Sequence, residues 1–464
     1  MNRILIAGTR SGVGKTTITM GILAVLKDTH IIQPYKVGGD YIDGQFHSVI
    51  TGRKSRNLDS FFMQKNTIEY LMRKNSADAD ISIIEGVMGL YDGIELKKDI
   101  GSTSSIAKIT NTPVILVVDG SAIAKSIVAE IKGYLDFDKD LKISAIIINN
   151  VSGEAHYNLL KDYINEYLEI EVVGYLIKNA IESLESRHLG LVPSYETENL
   201  KRYIDFLKDE ISKTIEFDKI LEISKTAPEI DTENINTKKI SNEVNIAVAY
   251  DEAFNFYYQD NLDLLENFGA TIKYFSPIRD KSLPENIHGI YLGGGFPEIF
   301  AKDLSENIEI KETILNKIKE GIPYLAECGG MMYLCDELEN LEGDVYKMVG
   351  ILSAKTYMTK RLQRFGYSTL TLNRDCVLGN VGDSINIHEF HRSKVELNEL
   401  EKNKIETCYN IEKIRDNETI KSWVGGYKKY NGVSGYAHFP LYSKISFAEN
   451  FVIKCKEFKD GKIS

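Results

Sequence analysis

Short runs of apolar, mostly β-branched residues alternate along the chain with longer stretches of helical, amphipathic periodicity. In the first half the short runs predict buried parallel strands at Arg3–Ala7, Ile31–Val37, Ile81–Glu85, Pro113–Asp119 and Ile143–Val151. In the second half they predict further strands at Val244–Tyr250, Thr271–Phe275, Gly289–Leu292 and Pro323–Ala326. Since strands that alternate with helices typically form parallel sheets, each half is predicted to be an α/β unit.

A polar stretch separates the two halves. Residues 226–243, TAPEIDTENINTKKISNE, show no sustained apolar period and are rich in Asn, Thr, Asp and Glu, which is typical of an exposed linker. We therefore predict a P-loop parallel-sheet domain over 1–225 and a second α/β domain over 244–464. The length of 464 residues fits this division, because single cores rarely grow beyond about 250–300 residues.

Composition excludes several classes of partner. Hydrophobic residues make up 43% and charged residues 27% of the chain, as in a globular protein with a large core. The net charge is -11, and no basic block supplies the field that nucleic acid or anionic lipid requires. The sequence shows neither signal-peptide features nor an apolar run of about 18 residues. We therefore expect a cytoplasmic protein with no nucleic-acid or membrane partner.

The segment GTRSGVGKTT, residues 8–17, follows the first predicted strand and opens a helical stretch. In this context glycines let backbone N–H groups close on phosphates, a lysine reaches the terminal phosphates and a hydroxyl can ligate magnesium. Gly8 and Gly14 stand one residue further apart than the strict pattern requires, so a variant loop is predicted. The alternative is a glycine-rich turn with a solvated lysine. The predicted ATP-binding residues are Gly12, Val13, Gly14, Lys15, Thr16 and Thr17.

Carboxylates follow two of the predicted strands. Glu85 ends one strand, and Asp40 and Asp43 follow the strand that ends at Val37. Ligands collect at the carboxyl ends of strands in open parallel sheets, so these side chains are expected to face one crevice. Thr16, through its hydroxyl, Asp40 and Glu85 are the candidate Mg²⁺ residues, with Glu85 either a direct ligand or a residue that acts through one. The alternative is that the carboxylates cap the next helix.

A cysteine stands at the end of a predicted strand in the second half. In IPYLAECGGMMYL, residues 322–334, an apolar run ends in Cys328, which two glycines and a helical stretch follow. This pattern predicts a nucleophile elbow, whose helix N-terminus favours the thiolate. A base is still required, because a free cysteine is only a few per cent thiolate near neutrality. The five cysteines contain no Cys-x-x-Cys pair, so no zinc site or disulfide framework is predicted.

Three glycines, Gly293 to Gly295, follow another predicted strand. Backbone N–H groups at such a position can stabilise an oxyanion, the negatively charged oxygen of a carbonyl under attack. Gly294 and Gly295 are the candidates for that role. A tight turn without function is the alternative.

Longer segments resemble the cobyrinate a,c-diamide synthase family. In the first half these are KVGGDYIDGQFHSVITGRKSRNLD (36–59), EGVMGLYDG (85–93), GST (101–103) and RHLGL (187–191). In the second half they are DEAFNFYYQDNLDLLE (251–266), YLGGGFPE (291–298), AECGGMMYL (326–334) and MTKRLQRFGY (358–367). The resemblance covers nearly the whole chain. Gly39 departs from it, because the family is expected to carry proline before Asp-Tyr-Ile-Asp.

The resemblance implies a domain similar to dethiobiotin synthetase, followed by a class I glutamine amidotransferase-like domain. Such a carbon–nitrogen ligase uses ATP and glutamine to amidate the a and c carboxylates of cobyrinate in cobalamin biosynthesis, through an acyl phosphate and ammonia from the glutaminase domain. Matching family positions assign Tyr41, Asp43 and Asp92 to the substrate, and Lys36 is an available cation for it. Hydrogenobyrinate and nickel sirohydrochlorin are alternative substrates. The implied partners are small molecules, and a homodimer is left open.

The resemblance also directs the search for a base. Class I amidotransferases carry their catalytic histidine near the end of the domain, which points to His438. They usually place glutamate two residues later, where this chain has Pro440, so a Cys328–His438 pair is implied and what orients the imidazole is left open. His388 and His391 are competing candidates.

A different class of protein also fits part of the sequence. The loop variant resembles ATPases that act as dimeric switches, with Arg10 near the position of their signature lysine. A switch has no use for Cys328 and His438. Glutaminase activity therefore separates this hypothesis from the ligase.

Overall fold

The computed structural model describes residues 1–95, 98–178, 196–240, 243–402, 404–416 and 418–463. The segment RHLGL at 187–191, one of those that carry the family resemblance, lies outside these ranges. The chain divides into two compact units, unit 1 over Met1–Ile235 and unit 2 over Asn236–Ser464. Among the described residues, no helix is both long and apolar enough to span a membrane.

Unit 1 is built on a parallel sheet. Its described strands are β1 (Arg3–Gly8), β2 (Ile32–Val37), β3 (Arg56–Leu58), β4 (Ile81–Glu85), β5 (Val114–Asp119), β6 (Ile143–Val151) and β7 (Glu171–Ile177). They lie in the order β3-β2-β4-β1-β5-β6-β7, and every neighbouring pair is parallel. The helices are α1 (Lys15–Leu26), α2 (Ile42–Thr51), α3 (Lys65–Asn75), α4 (Thr103–Ile109), α5 (Ser126–Phe137), α6 (Glu154–Tyr167), α7 (Glu196–Thr214) and α8 (Phe217–Ser224).

Interior strands of unit 1 can be predicted from the sequence because they are buried. Every residue of β1, β2 and β4 is buried, so these strands are covered on both faces and appear as continuous apolar runs. Helix α1 packs on α7 through its apolar positions, and both helices belong to the core of the unit. The carboxyl ends of β1, β2 and β4 consequently meet at one edge, where the candidate site lies.

Unit 2 is built on a mixed sheet. The strands that form it are β8 (Val244–Ala249), β10 (Ala270–Phe275), β11 (Gly289–Leu292), β13 (Tyr324–Glu327), β17 (Arg364–Leu372), β18 (Ser384–His391), β20 (Glu406–Arg415), β21 (Glu418–Lys429) and β22 (Gly432–Gly435). Smaller sheets contain β9 (Phe254–Phe256), β12 (Gly294–Gly295), β14 (Cys335–Glu339), β15 (Val345–Lys347), β16 (Leu352–Met358) and β19 (Ser393–Leu397). The helices are α9 (Gln259–Asn267), α10 (Ala301–Glu306), α11 (Ile308–Lys319), α12 (Gly329–Leu334), α13 (Glu399–Lys402), a 3₁₀ turn (Leu441–Ser443) and α14 (Ile445–Lys459).

The large sheet of unit 2 has a parallel and an antiparallel part. From one edge its order is β10-β8-β11-β13-β22-β21-β20-β17-β18. The pairs from β10 to β22 are parallel and the remaining pairs are antiparallel. The predicted α/β class is confirmed in both units. The residue limits predicted for the two domains stay a prediction.

Two glycines of unit 1 provide a test of its packing. A Cβ atom on Gly174 in β7 would lie 2.5 Å from the backbone oxygen of Thr214, whereas one on Gly133 in α5 would meet nothing within 4 Å. We expect Gly174→Ala to lower the free energy of unfolding by about 1–3 kcal/mol. Gly133→Ala should raise it by about 0.5–1 kcal/mol through the helix propensity of alanine. Urea denaturation of the full chain measures both, and a wild-type midpoint in Gly174→Ala would contradict the predicted clash.

Candidate functional site

The phosphate-loop candidate of unit 1 connects β1 to α1. Gly12 and Gly14 both have left-handed φ angles, 76° and 96°. A Cβ atom on Gly14 would lie 2.1 Å from Asn149 Nδ2, so only glycine permits this approach. Asn149 Nδ2 in turn donates a hydrogen bond to the backbone oxygen of Val13 at 2.8 Å. The loop is thereby tied to the end of β6.

Three side chains at the start of α1 point to different partners. Lys15 Nζ is 3.2 Å from the backbone oxygen of Arg10 and also donates to that of Met88. Burial and the nearby charge of Lys36 lower the pKa of Lys15. Thr16 Oγ1 donates to Glu85 Oε1 at 2.6 Å. The Thr17 side chain is hydrogen-bonded to Tyr203 of α7.

Glu85, the last residue of β4, is fully buried and receives hydrogen bonds on both oxygens. Besides Thr16, Oε1 accepts from Lys36 Nζ at 2.8 Å, and Oε2 accepts from His47 Nε2 at 2.7 Å. Burial alone would raise the pKa of Glu85, but the charge of Lys36 and the bond from His47 outweigh it and lower that pKa. Glu85 is therefore a carboxylate that stays ionised inside the unit.

Lys36 binds a second carboxylate. Its Nζ lies 2.6 Å from Asp43 Oδ2 in α2, and the carboxylates of Glu85, Asp43 and Asp40 together raise its pKa against the effect of burial. Burial and the charge of Glu85 raise the pKa of Asp43 to about 6, although Lys36 opposes the shift. The structure thus groups Lys36, Asp43 and Glu85, and the roles of these residues stay a prediction.

The remaining predicted residues of unit 1 lie around this group. Asp40 is half-buried, and its Oδ1 accepts from the backbone N–H of Ile42, the first residue of α2, at 2.7 Å. This contact matches the helix-capping alternative for Asp40. Tyr41 is the residue before α2. Asp92 is exposed, and its Oδ2 accepts from the backbone N–H of Gly89 at 2.9 Å.

The oxygen atoms of this region bear on the magnesium prediction. Hydroxyl and carboxylate oxygens are the ligands that Mg²⁺ prefers, and those of Thr16 and Glu85 lie together. However, Lys36, His47 and Thr16 already occupy the oxygens of Glu85. Among the described residues, no three or more His, Cys, Asp or Glu side chains are arranged to hold a metal ion. Glu85 therefore fits the role of orienting Thr16 better than that of a direct ligand.

The candidate nucleophile of unit 2 stands at a sharp turn. Strand β13 ends at Glu327, Cys328 has a φ of 47° and a ψ of -101°, and α12 begins at Gly329. Positive φ is costly for a residue with a side chain, and such strain concentrates at functional sites. Cys328 is 8% exposed and directly precedes α12. This is the geometry of the predicted elbow.

His438 lies beside that turn because β22 is the parallel neighbour of β13. Glu327 is in register with Gly435, three residues before His438. The imidazole is 2% exposed and hydrogen-bonded to the Cys328 side chain, and its Nδ1 lies 3.2 Å from Glu327 Oε2. Burial would lower the pKa of His438, but the bonds to Cys328 and Glu327 raise it to about 10. Cysteine, histidine and glutamate therefore form one connected group.

The two competing histidines make other contacts. His388 pairs with His438 through backbone hydrogen bonds of 3.2 and 2.9 Å, and burial lowers the pKa of its side chain to about 3. His391 Nδ1 lies 2.9 Å from the backbone oxygen of Ser393, and its ring stacks on Tyr436 at 3.6 Å. The structure thus favours His438 over both as the partner of Cys328.

The predicted oxyanion glycines lie at the same place. A Cβ atom on Gly294 would be 2.6 Å from His438 Cε1, and one on Gly329 would be 3.1 Å from the backbone nitrogen of Gly295. Gly330 at the start of α12 donates its N–H to the backbone oxygen of Gly293 at 2.9 Å. The glycine segment is therefore in contact with the elbow and the imidazole.

Known proteins match the chain over its whole length. The CobQ/CobB/MinD/ParA nucleotide binding domain matches residues 4–192, and the CobB/CobQ-like glutamine amidotransferase domain matches residues 245–445. A cobyrinate a,c-diamide synthase of Listeria innocua is 46% identical, covering 100% of both chains. That of Caldanaerobacter subterraneus is 44% identical over 98% of each chain, and that of Listeria monocytogenes is 45% identical over 96% of this chain and 97% of its own.

This chain belongs to the cobyrinate a,c-diamide synthase family. Its unit 1 accordingly contains a nucleotide-binding domain and its unit 2 a glutamine amidotransferase domain. Membership in the cobyrinate a,c-diamide synthase family makes it an enzyme with small-molecule substrates, and the hypothesis of a switch protein is wrong.

Two residues of the site in this cobyrinate a,c-diamide synthase family member, His47 and Glu327, were not predicted from the sequence. His47, which binds Glu85, stands four residues after Asp43 in α2, so helical spacing was an available signal. Glu327 stands directly before Cys328, but neighbouring residues of a strand point to opposite faces. Its contact with His438 is therefore visible only once the turn at Cys328 is known.

Proposed function

We propose that this protein amidates the a and c carboxylates of cobyrinate, with glutamine as nitrogen donor and ATP as the source of activation. The observation that carries this proposal is the full-length similarity, at 44–46% identity, to proteins named cobyrinate a,c-diamide synthase. The two groups of residues described above support it, since each has the chemistry that one half of the reaction requires. Association into a homodimer and a cytoplasmic location stay predictions of the sequence.

The synthetase step belongs to unit 1 in this proposal. A carboxylate oxygen of the macrocycle attacks the γ-phosphorus of ATP and ADP leaves, which gives an acyl phosphate. Ammonia then attacks the acyl carbon, phosphate leaves and a proton is released. The acyl phosphate makes this attack possible because phosphate is a far better leaving group than oxide. Lys15 and the N–H groups of residues 12–17 would neutralise and position the phosphates. Lys36, Tyr41, Asp43 and Asp92 are the proposed contacts of the macrocycle.

Magnesium would neutralise phosphate charge when bound. We propose that the Thr16 hydroxyl holds the ion, and that Glu85 orients this hydroxyl through the bond of 2.6 Å. We propose Asp40, which follows β2, as a further residue of the magnesium site. Glu85 keeps its own charge because the Lys36 ammonium compensates it and His47 is hydrogen-bonded to it.

The glutaminase step belongs to unit 2. The Cys328 thiolate attacks the amide carbon of glutamine, and the N–H groups of Gly294 and Gly295 stabilise the oxyanion. His438 donates a proton to the departing nitrogen, which leaves as ammonia and gives a thioester. Water then hydrolyses the thioester to glutamate and regenerates Cys328.

The identity of the macrocycle can be tested directly. We expect purified protein with ATP, Mg²⁺ and glutamine to convert cobyrinate into a product in which two hydroxyl groups are exchanged for amino groups. Mass spectrometry measures this exchange, and a reaction without ATP is the control. If hydrogenobyrinate or nickel sirohydrochlorin is amidated and cobyrinate is left unchanged, the proposed substrate is wrong and the proposed reaction type still holds.

Lys15→Ala tests the assignment of the synthetase site. We expect this substitution to remove amidation with either glutamine or ammonia, because the positive charge that stabilises the phosphates in the transition state is lost. Hydrolysis of glutamine should survive in this variant. Lys65→Ala is the control, since that lysine is 68% exposed in α3 and should leave all activities unchanged. Wild-type amidation by Lys15→Ala would contradict the assignment.

Cys328→Ala and His438→Ala test the glutaminase site. Each should lower glutamine-dependent synthesis by on the order of 10³ or more, and the double variant should be about as impaired as either, since the two groups act as a unit. Ammonium chloride at alkaline pH should restore amidation in all three. Full glutamine-dependent activity of His438→Ala would move the base to His388 or His391.

A further inference from the structure

We propose that Glu327 is the positioning residue that holds His438 as an imidazolium and thereby keeps Cys328 ionised. This inference rests on the proposed glutaminase function of Cys328 and His438. It assigns to the residue before the nucleophile the work that class I amidotransferases give to a glutamate two residues after the histidine. In this chain that later position is Pro440, which has no carboxylate.

The geometry around His438 fixes which ring nitrogen serves which partner. Nδ1 lies 3.2 Å from Glu327 Oε2, and an ionised carboxylate can only accept, so Nδ1 carries the proton of this bond. The ring has one other nitrogen, Nε2, and the ring is also hydrogen-bonded to the Cys328 side chain. A carboxylate on Nδ1–H sets the tautomer and orientation that leave Nε2 for the nucleophile.

Glu327 is itself held in place. Its side chain is 2% exposed, and its second oxygen, Oε1, accepts from the Tyr291 hydroxyl at 2.7 Å. The Tyr291 ring packs edge-on against Tyr257 at 5.1 Å, and the Tyr257 hydroxyl accepts from the backbone N–H of Gly293. One carboxylate oxygen is therefore held by Tyr291, and the other faces the imidazole.

The negative charge of Glu327 needs a compensating positive charge nearby. Among the described residues, the hydrogen bonds of Glu327 come from a neutral phenol and from His438. A buried carboxylate without a cation is costly, so its charge favours a proton on His438. The imidazolium in turn favours the thiolate of Cys328. The raised pKa of His438 agrees with this direction.

Other titratable groups lie near His438 and Glu327, and those that titrate within the assay range would also affect the pH dependence of Cys328 reactivity. Burial raises the pKa of the phenols far above neutrality, at Tyr257, Tyr291, Tyr409 and Tyr436. Burial lowers the pKa of His388 to about 3 and that of His391 to about 4, so both are neutral. Burial raises the pKa of Glu389 to about 6, within the range of an assay. Burial also raises the pKa of Glu298, three residues after Gly295, to about 7, so the titration of both glutamates must be controlled.

The test is the pH dependence of alkylation of Cys328 by iodoacetamide in the full chain, from about pH 5 to pH 9, with peptide mass spectrometry to distinguish the five cysteines. We expect Glu327→Gln to move the midpoint to higher pH by at least about one unit, because the imidazolium loses its counter-charge. Glutamine-dependent synthesis should fall at least about 10²-fold, with ammonia-dependent synthesis unchanged. Glu389→Gln, a matched change at a buried glutamate that accepts from Trp423, should keep the wild-type midpoint.

A second measurement keeps the test decisive if Glu327→Gln does not fold. In wild-type protein labelled with ¹⁵N-histidine, and with His438 assigned by His438→Ala, both Nδ1 and Nε2 should carry a proton throughout the range around neutral pH. An unprotonated Nδ1, or a wild-type midpoint in folded Glu327→Gln, would overturn the role of Glu327. If Cys328→Ala retains glutaminase activity, the proposed function fails; if only Glu327→Gln behaves as wild type, this inference alone fails.

Discussion

The pairing of a buried glutamate with a histidine organises the chemistry of each unit. Glu85 ends β4 and Glu327 ends β13, and both side chains are almost completely removed from water. An isolated carboxylate in such a place costs several kcal/mol or takes up a proton. His47 in unit 1 and His438 in unit 2 donate to these carboxylates. The sheets therefore place charge at strand ends, and the surrounding elements must supply its compensation.

The two units compensate this charge differently, and the difference matches the proposed chemistry. Glu85 binds the ammonium group of Lys36 as well as His47, so its charge is neutralised without help from a substrate. Such a site can orient a hydroxyl at the phosphate loop without changing its own protonation. Glu327 binds Tyr291, which brings no charge, so its compensation depends on the proton of His438. In the proposed reaction the Nδ1 proton stays on this bond, and the proton that His438 passes to the departing nitrogen is the one on Nε2.

The sequence predicts well whatever depends on local pattern. The interior strands of unit 1 were found because both of their faces are buried, and Cys328 was found because an apolar strand, a cysteine and two glycines are consecutive. The sequence did not predict the antiparallel strands β17, β18, β20 and β21, because their partly exposed positions interrupt any continuous apolar run. The contact of Glu327 with His438 joins residues 111 positions apart and depends on the register of β13 with β22. The register of two strands so far apart in the sequence cannot be predicted from a local pattern of residues.

The backbone at Cys328 explains how two adjacent residues can serve one imidazole. In a regular strand, Glu327 and Cys328 would point to opposite faces of the sheet, and one histidine could reach only one of them. The positive φ of Cys328 ends that alternation and turns the chain into α12. Both side chains then reach His438, which arrives from the neighbouring strand. The turn at Cys328 thus places the thiol at the start of α12 and also lets the carboxylate of the residue before it contact the same imidazole.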